Sequence, residues 1–124
     1  MRSARPPRKP SRTRLTLRVD FTAQFRLGPG KVRLLELIAQ SGSISAAGRA
    51  MGMSYRRAWL LVREMNDGFR QPVVASARGG KRGGGAELTD FGREVVDRYR
   101  DMEARAAATL AAHVAALDSS LSKR

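Results

Sequence analysis

Apolar and polar residues alternate strictly over residues 15–22, with leucine, valine and phenylalanine on one side and threonine, arginine and aspartate on the other. Alternation with a period of two predicts a half-buried strand. The sequence LGPG at residues 27–30 then breaks the chain. Residues 31–42 follow a helical period, and we expect this helix to end with Gly42 as its C-cap. Its predicted apolar face consists of Val32, Leu35, Ile38 and Ala39.

The middle of the chain predicts a short helix, a tight turn and a longer helix. Ser45 is expected to cap the short helix, which extends no further than Met51, and Gly52 permits a sharp left-handed exit. Ser54 is expected to cap the longer helix, residues 54–69. A short helix, a glycine turn and a longer helix are typical of a helix-turn-helix. The predicted buried stripe of the second helix consists of Ala58, Val62, Met65 and Phe69.

Two short stretches after Pro72 can pair as strands on either side of a glycine-rich loop. They are residues 73–76 and 86–89, and a hairpin placed directly after a helix-turn-helix predicts the wing of a winged helix, residues 76–87. The predicted fold class is therefore mainly α with a small β-wing, a winged helix-turn-helix. Residues 15–89 form this predicted DNA-binding domain.

One long helix is predicted over residues 90–121, with Thr89 as its cap. No proline or glycine interrupts it from residue 93 onward, and about 28 residues at 1.5 Å each would span roughly 42 Å, longer than the small domain itself. The distal part of its apolar face therefore needs another chain, so we expect a homodimer held by this dimerisation helix. The face consists of Val95, Tyr99, Met102, Ala106, Leu110, Val114 and Leu117.

The charge of the 124-residue chain points to a polyanionic partner, since its formal net charge is +13 and its isoelectric point is about 11.6. Residues 1–14 carry six cations, three prolines and no acidic residue, which predicts a disordered basic arm. The rest of the chain still carries +7, so the domain itself is basic. Double-stranded DNA is the partner that a basic winged helix predicts.

Several other classes of protein are disfavoured by composition. The chain has no cysteine and one histidine, His113, so we expect no metal site, no cofactor and no catalytic residues. Lys81 in the glycine-rich loop is followed by Arg82 rather than by serine or threonine, which argues against a nucleotide-binding phosphate loop. No apolar run approaches the roughly 18 residues of a membrane span, and no secretory signal is evident. We expect a cytoplasmic protein that is not an enzyme.

The candidate DNA-binding residues come from three places. Those at the start of the recognition helix can meet base edges, serines near helix starts can hold phosphates, and wing cations can reach the backbone or the minor groove. Solvated surface arginines are the alternative interpretation. Trp59 is expected to pack against a neighbouring helix or the wing rather than to stack on DNA. The candidates are Ser43, Ser45, Ser54, Tyr55, Arg56, Arg57, Arg78, Lys81 and Arg82.

The predicted function is that of a sequence-specific transcription regulator that binds a palindromic operator as a dimer. Recognition helix 54–69 and wing 76–87 would make the contacts. A non-specific nucleoid-associated or RNA-binding protein is the alternative, because it would share the basic charge. Competition with random duplexes separates the two, since a specific regulator should prefer one site by about 10³ or more.

A family resemblance lies in GSISAAGRAMGMSYRRAWLLVREMN and in ARGGKRGGGAELTDFG, with SYxxAW and GGKxGGGAxLTxxG as the specific elements. Over residues 15–99 the chain resembles the N-terminal, LysR-like winged helix of the ModE-type molybdate-responsive transcription regulators. The resemblance implies a dimer that binds its operator through recognition helix and wing. The chain departs from the family at Ala75, usually acidic, and Arg82, usually glycine. The sequence ends at Arg124 without the family's molybdate-sensing domains, so a small-molecule or oxyanion effector is not evident.

Overall fold

Four helices and two small antiparallel hairpins make up the part of the chain that the computed structural model describes, residues 13–77 and 85–122. The predicted class, mainly α with a small β-wing, is confirmed. The elements in chain order are β1 (Val19–Asp20), β2 (Arg26–Leu27), α1 (Pro29–Ser41), α2 (Ile44–Ala50), α3 (Tyr55–Gly68), β3 (Val74–Ala77), β4 (Gly85–Leu88) and α4 (Asp90–Ser119). In the two hairpins β1 pairs with β2, and β3 pairs with β4.

The strand predicted over residues 15–22 is wrong except at β1, which pairs with β2 over two residues only. A turn ends the pairing, because the N–H groups of Phe21 and Thr22 both donate to the Phe25 carbonyl oxygen, at 3.0 and 3.2 Å. The Thr22 hydroxyl also accepts from the Phe25 N–H at 2.9 Å. The alternating apolar and polar residues 15–18, which precede β1, form an extended segment without a sheet partner in the described structure. Leu15 is exposed in this segment.

Helix α1 supplies much of the core and begins two residues earlier than predicted, with Pro29 in its first turn, where proline lacks only an N–H that has no helical partner. Its buried residues are Val32, Leu34, Leu35 and Ile38, so the prediction that Ala39 lies on the core face is wrong. Gly42 ends the helix in the left-handed region, at φ 69°, and its N–H donates to the Ile38 carbonyl oxygen at 2.7 Å.

The helix-turn-helix is formed by α2 and α3, but its first cap differs from the prediction. Ser43, not Ser45, caps α2, since its hydroxyl accepts from the Ala46 N–H at 3.0 Å. Gly52 adopts the expected left-handed conformation with φ 71°. Ser54 caps α3 as predicted, accepting from the Arg57 N–H at 3.1 Å. The predicted stripe of α3 is buried at Ala58, Val62 and Met65, with Phe69 half-buried just beyond the helix.

The wing stem forms close to its predicted position, because β3 pairs with β4 in a register that places Val74 opposite Leu88 and Ala77 opposite Gly85. Strand β4 is held to the end of α1, since the Ala86 N–H donates to the Gly42 carbonyl oxygen at 2.9 Å. Together with the helix-turn-helix, this hairpin completes a winged helix.

Helix α4 is 30 residues long and starts at the predicted cap, with the Thr89 hydroxyl accepting from the Gly92 N–H at 2.9 Å. Its first turns are anchored in the core through Val95 and Tyr99. Arg100 reaches α1 and binds Glu36 through two hydrogen bonds, at 2.7 and 3.0 Å. No helix in the described ranges is long and apolar enough to cross a membrane.

The segment that precedes β1 lies along α4. The Tyr99 hydroxyl donates to the Leu17 carbonyl oxygen at 2.5 Å, and Thr13 is hydrogen-bonded to Asp118 near the far end of the helix. The remainder of the predicted basic arm, residues 1–12, lies outside the described residues. The segment before β1 therefore contacts α4 at two places, near the part of the helix that is buried in the core and near its C-terminal end.

Candidate nucleic-acid interface

The first turn of α3 presents three of the candidate residues to solvent. Tyr55, Arg56 and Arg57 are all exposed there, and 57% of Tyr55 is accessible. In the described part of the chain no carboxylate pairs with Arg56 or Arg57. The Ser54 cap sets where the helix begins and hence where these side chains project. Two unpaired guanidinium groups at the start of a helix are suited to meet base edges or phosphates.

A groove of about 300 Å³ runs between α3 and the wing stem. Its walls bring together the start of α2, the exposed side of α3 and the facing side of the hairpin. Three candidate residues that are distant in sequence meet there, two serines from the α2 region and the tyrosine of α3. The residues that matter for its chemistry are Ser43, Ser45, Tyr55, Trp59, Asn66 and Ser76.

The serines at the start of α2 are already hydrogen-bonded within the protein. The Ser43 hydroxyl oxygen accepts from the Ala46 N–H, and the Ser45 hydroxyl accepts from the Arg49 guanidinium at 2.9 Å. Each hydroxyl proton is left for a second partner. Arg49, which the sequence analysis missed, adds an exposed cation next to Ser45. The sequence could have indicated this contact, because residues four positions apart on a helix, such as Ser45 and Arg49, lie on the same face.

Trp59 lies at the rim of the groove with 40% of its surface exposed. The Arg63 guanidinium carbon stands 5.4 Å from its ring centroid, a cation–π contact along the exposed side of α3. Trp59 and the wing stem both line this groove, and the expected packing of Trp59 against a neighbouring helix or the wing stays a prediction.

Asn66 is the second residue that sequence reasoning missed. It is half-buried in the last turn of α3, and its side chain hydrogen-bonds to Val73 and Val74 at the start of the wing. A polar residue beside a buried stripe gave no signal of this role, because its partners lie seven and eight residues further along the chain.

The wing candidates Arg78, Lys81 and Arg82 lie outside the described residues. Their contacts with DNA therefore stay predictions, as do those of Ser43, Ser45, Ser54, Tyr55, Arg56 and Arg57. The described stem does place the base of the wing beside α3, across the groove. Within the two described ranges no three His, Cys, Asp or Glu residues gather as a metal site.

This fold and this exposed helix start define the class of the protein. Residues 30–93 match the lysR family of bacterial regulatory helix-turn-helix proteins, and the chain belongs to that family. The matched segment is therefore a helix-turn-helix domain of a family of bacterial regulatory proteins.

Individual proteins similar to this chain show which members of the family it resembles. The chain is 47% identical over 85 residues to the molybdenum-pterin-binding protein MopB of Rhodobacter capsulatus, covering 68% of this chain and 32% of MopB. It is 39% identical over 85 residues to the molybdenum transport protein ModE of Azotobacter vinelandii, with the same coverage of 68% and 32%. The DNA-binding transcriptional dual regulator ModE of Escherichia coli K12 is 44% identical over 71 residues, or 57% of this chain and 27% of that protein.

The predicted resemblance to ModE-type regulators is confirmed by these relatives. The chain spans about a third or less of the length of the curated relatives that it matches. The family match, residues 30–93, runs from the start of α1 into the first turn of α4.

Proposed function

We propose that the chain binds a specific DNA operator as a dimer and thereby regulates transcription in the cytoplasm. The observation that carries the proposal is the exposed first turn of α3, where Arg56 and Arg57 have no carboxylate partner in the described structure. Membership of a family of regulatory helix-turn-helix proteins supports the same conclusion.

In the proposed complex the start of α3 enters the major groove. Arg56 or Arg57 pairs with guanine through two hydrogen bonds to O6 and N7 and so supplies specificity. Tyr55 and the hydroxyls of Ser43, Ser45 and Ser54 contact the sugar-phosphate backbone. The wing cations Arg78, Lys81 and Arg82 add affinity that depends little on sequence.

Replacing the recognition arginines tests this division of roles. Arg56→Ala or Arg57→Ala is expected to weaken binding to the selected operator by about 1–3 kcal/mol and to relax the preference at one position of each half-site. Arg98→Ala is the control for the loss of one positive charge, since Arg98 lies on α4, outside the proposed interface, where it pairs with Glu94 at 2.7 Å. Binding is measured by fluorescence anisotropy on operator and variant duplexes. An equal loss on every sequence would contradict a role in base recognition.

The net charge of +13 also fits a non-specific nucleoid-associated or RNA-binding protein. Competition distinguishes this alternative from a regulator. Random duplex DNA should displace the operator only at about 10³-fold or greater excess if the chain is sequence-specific. Equal competition by random DNA or by RNA would favour the alternative.

The dimer proposed here uses the distal half of α4. Beyond Tyr99 three residues of the apolar series are open to solvent in the single chain, with Met102 40%, Leu110 39% and Leu117 72% exposed, and Ala106 and Val114 are half-buried. The alanines between them leave room for the close approach of a second helix. Two copies related by a dyad would read a palindrome whose half-sites lie roughly 34–36 Å apart, or a multiple of this distance.

Charges introduced into the apolar face test the dimer. Leu110→Glu combined with Val114→Glu should give monomers that bind the operator much more weakly, because carboxylates would be buried without partners. Ala108→Glu combined with Ala112→Glu on the opposite face of α4 adds the same charge and should leave the dimer intact. Sedimentation at micromolar concentration gives the association state. A monomeric wild type, or a dimer indifferent to the first pair of changes, would disprove the proposal.

A further inference from the structure

The side chain of Asn66 connects the last turn of α3 to the first residues of the wing. Its Oδ1 accepts hydrogen bonds from the Val73 N–H at 2.8 Å and from the Val74 N–H at 3.2 Å. Its Nδ2 donates to the Val74 carbonyl oxygen at 3.1 Å. One amide group thus engages three backbone groups on two consecutive residues.

The other strand of the wing is held by a different element. Strand β4 is attached to the end of α1 through the hydrogen bond from Ala86 to Gly42. Strand β3 follows α3 through residues 69–73, which contain neither helix nor strand. Among the described residues, the polar attachment of this segment to α3 therefore consists of the three hydrogen bonds of Asn66, one to Val73 and two to Val74 at the start of β3.

The same backbone segment is also held from the opposite side. The Thr89 hydroxyl donates to the Pro72 carbonyl oxygen at 2.7 Å, and the Thr89 N–H donates to the Val73 carbonyl oxygen at 3.0 Å. Residues 72–74 therefore lie between the end of α3 and the start of α4, and a shift of this segment relative to α3 requires the Asn66 hydrogen bonds to break.

We propose that Asn66 is a positioning residue for DNA binding, which sets the wing at a defined place relative to the recognition helix. The inference rests on the proposed function, in which α3 and the wing contact one duplex together. Asn66 itself touches no DNA base. It acts by holding the base of β3, so that a wing cation and the start of α3 meet the duplex in a single docked geometry.

An amide is the side chain that suits this task. Its oxygen can accept two hydrogen bonds while its nitrogen donates a third. Aspartate would keep the acceptors but lose the donor to Val74, and alanine would leave the two N–H groups and the carbonyl without this partner. Aspartate therefore removes one of the three hydrogen bonds between α3 and the start of the wing, and alanine removes all three.

A double-mutant cycle tests the inference through Lys81, which the sequence assigns to the wing. Lys81→Ala should weaken operator binding in the wild-type background. In the Asn66→Ala background the same change should weaken binding by a factor at least about twofold smaller, because contacts that depend on each other are not additive. In the Asn66→Asp background, Lys81→Ala should weaken operator binding almost as much as it does in the wild type. This background also provides the test if the Asn66→Ala protein fails to fold.

Tyr99→Phe is the control for a loss of stability alone, since it removes one hydrogen bond from a buried site on α4 without altering charge. The Lys81 effect should be unchanged in that background. Amide exchange at Val73 and Val74 should accelerate beyond the change in global stability only in the Asn66 variants. An equal Lys81 effect in all backgrounds would overturn the positioning role. A Lys81→Ala change without effect in the wild type would instead refute the wing contacts of the proposed function, and the positioning role with them.

Discussion

Replacing Gly92 with alanine would insert a methyl group between the first turn of α4 and the start of the wing. A Cβ at this position would lie 2.1 Å from the Val73 carbonyl oxygen and 3.0 Å from its carbonyl carbon. Relieving the contact requires a displacement of roughly 1 Å. The obstacle is backbone, and Val73 is held by hydrogen bonds to Thr89 at 3.0 Å and to Asn66 at 2.8 Å.

The size of the effect follows from opposing contributions. Alanine is favoured over glycine within a helix by up to about 1 kcal/mol. Forcing an extra methyl group into a packed site costs about 1–3 kcal/mol, and loss of the hydrogen bond between Thr89 and Val73 would add about 0.5–1.5 kcal/mol. We therefore expect Gly92→Ala to lower the free energy of unfolding by about 1–3 kcal/mol.

Gly30 provides a matched control, because it also lies in the first turn of a helix, but apart from its chain neighbours and its own helix backbone no heavy atom lies within 4 Å of the position that a Cβ would take. Gly30→Ala should leave stability unchanged or raise it by up to about 1 kcal/mol. Urea denaturation followed by circular dichroism measures both variants at one protein concentration, since association would shift the midpoint.

The opposite signs of the two substitutions are the critical result. A Gly92→Ala protein as stable as the wild type would show that α4 and the wing stem separate at little cost. An equal loss in Gly30→Ala would show that the effect does not come from the contact with Val73.

Three further predictions concern the α1–α4 ion pair, the anchor of the N-terminal segment and the basic arm. The hydrogen-bonded Arg100 guanidinium lowers the pKa of Glu36. The ion pair therefore stabilises the fold fully at pH values above the ordinary pKa of a glutamate, and this stabilisation is lost as the pH falls through the lowered pKa of the folded state. Glu36→Gln should cost about 1–2 kcal/mol at neutral pH and flatten the acid limb of a stability-versus-pH curve. Tyr99→Phe should lower the free energy of unfolding by about 0.5–1.5 kcal/mol through loss of the bond to Leu17, which thermal denaturation measures. Deleting residues 1–12 should leave the melting temperature nearly unchanged but lower the slope of log affinity against log salt by about 0.9 for each phosphate that the arm neutralises in the full chain; an unchanged slope would exclude the arm from DNA binding.

Features that depend on neighbours within a few residues were predictable from the sequence. The caps Ser54 and Thr89 and the turns at Gly42 and Gly52 were predicted where they occur, because caps and left-handed turns are decided by local backbone hydrogen bonds and sterics. The exposed start of α3 followed from the same local periodicity. The winged helix was therefore predictable as a succession of elements, and the family resemblance agreed with it.

The tertiary structure decided which local alternatives were used. Either Ser43 or Ser45 could have capped α2, and Ser43 does so. The residue before it, Gly42, accepts a hydrogen bond from Ala86 in β4, which is a contact between distant parts of the chain. The alternating pattern of residues 15–22 had no strand partner of matching length, since β2 runs directly into the start of α1. Asn66 gained its partners only when the wing folded back on α3. In each case the outcome depends on contacts between distant parts of the chain, and hydrophobic periodicity carries no information about these.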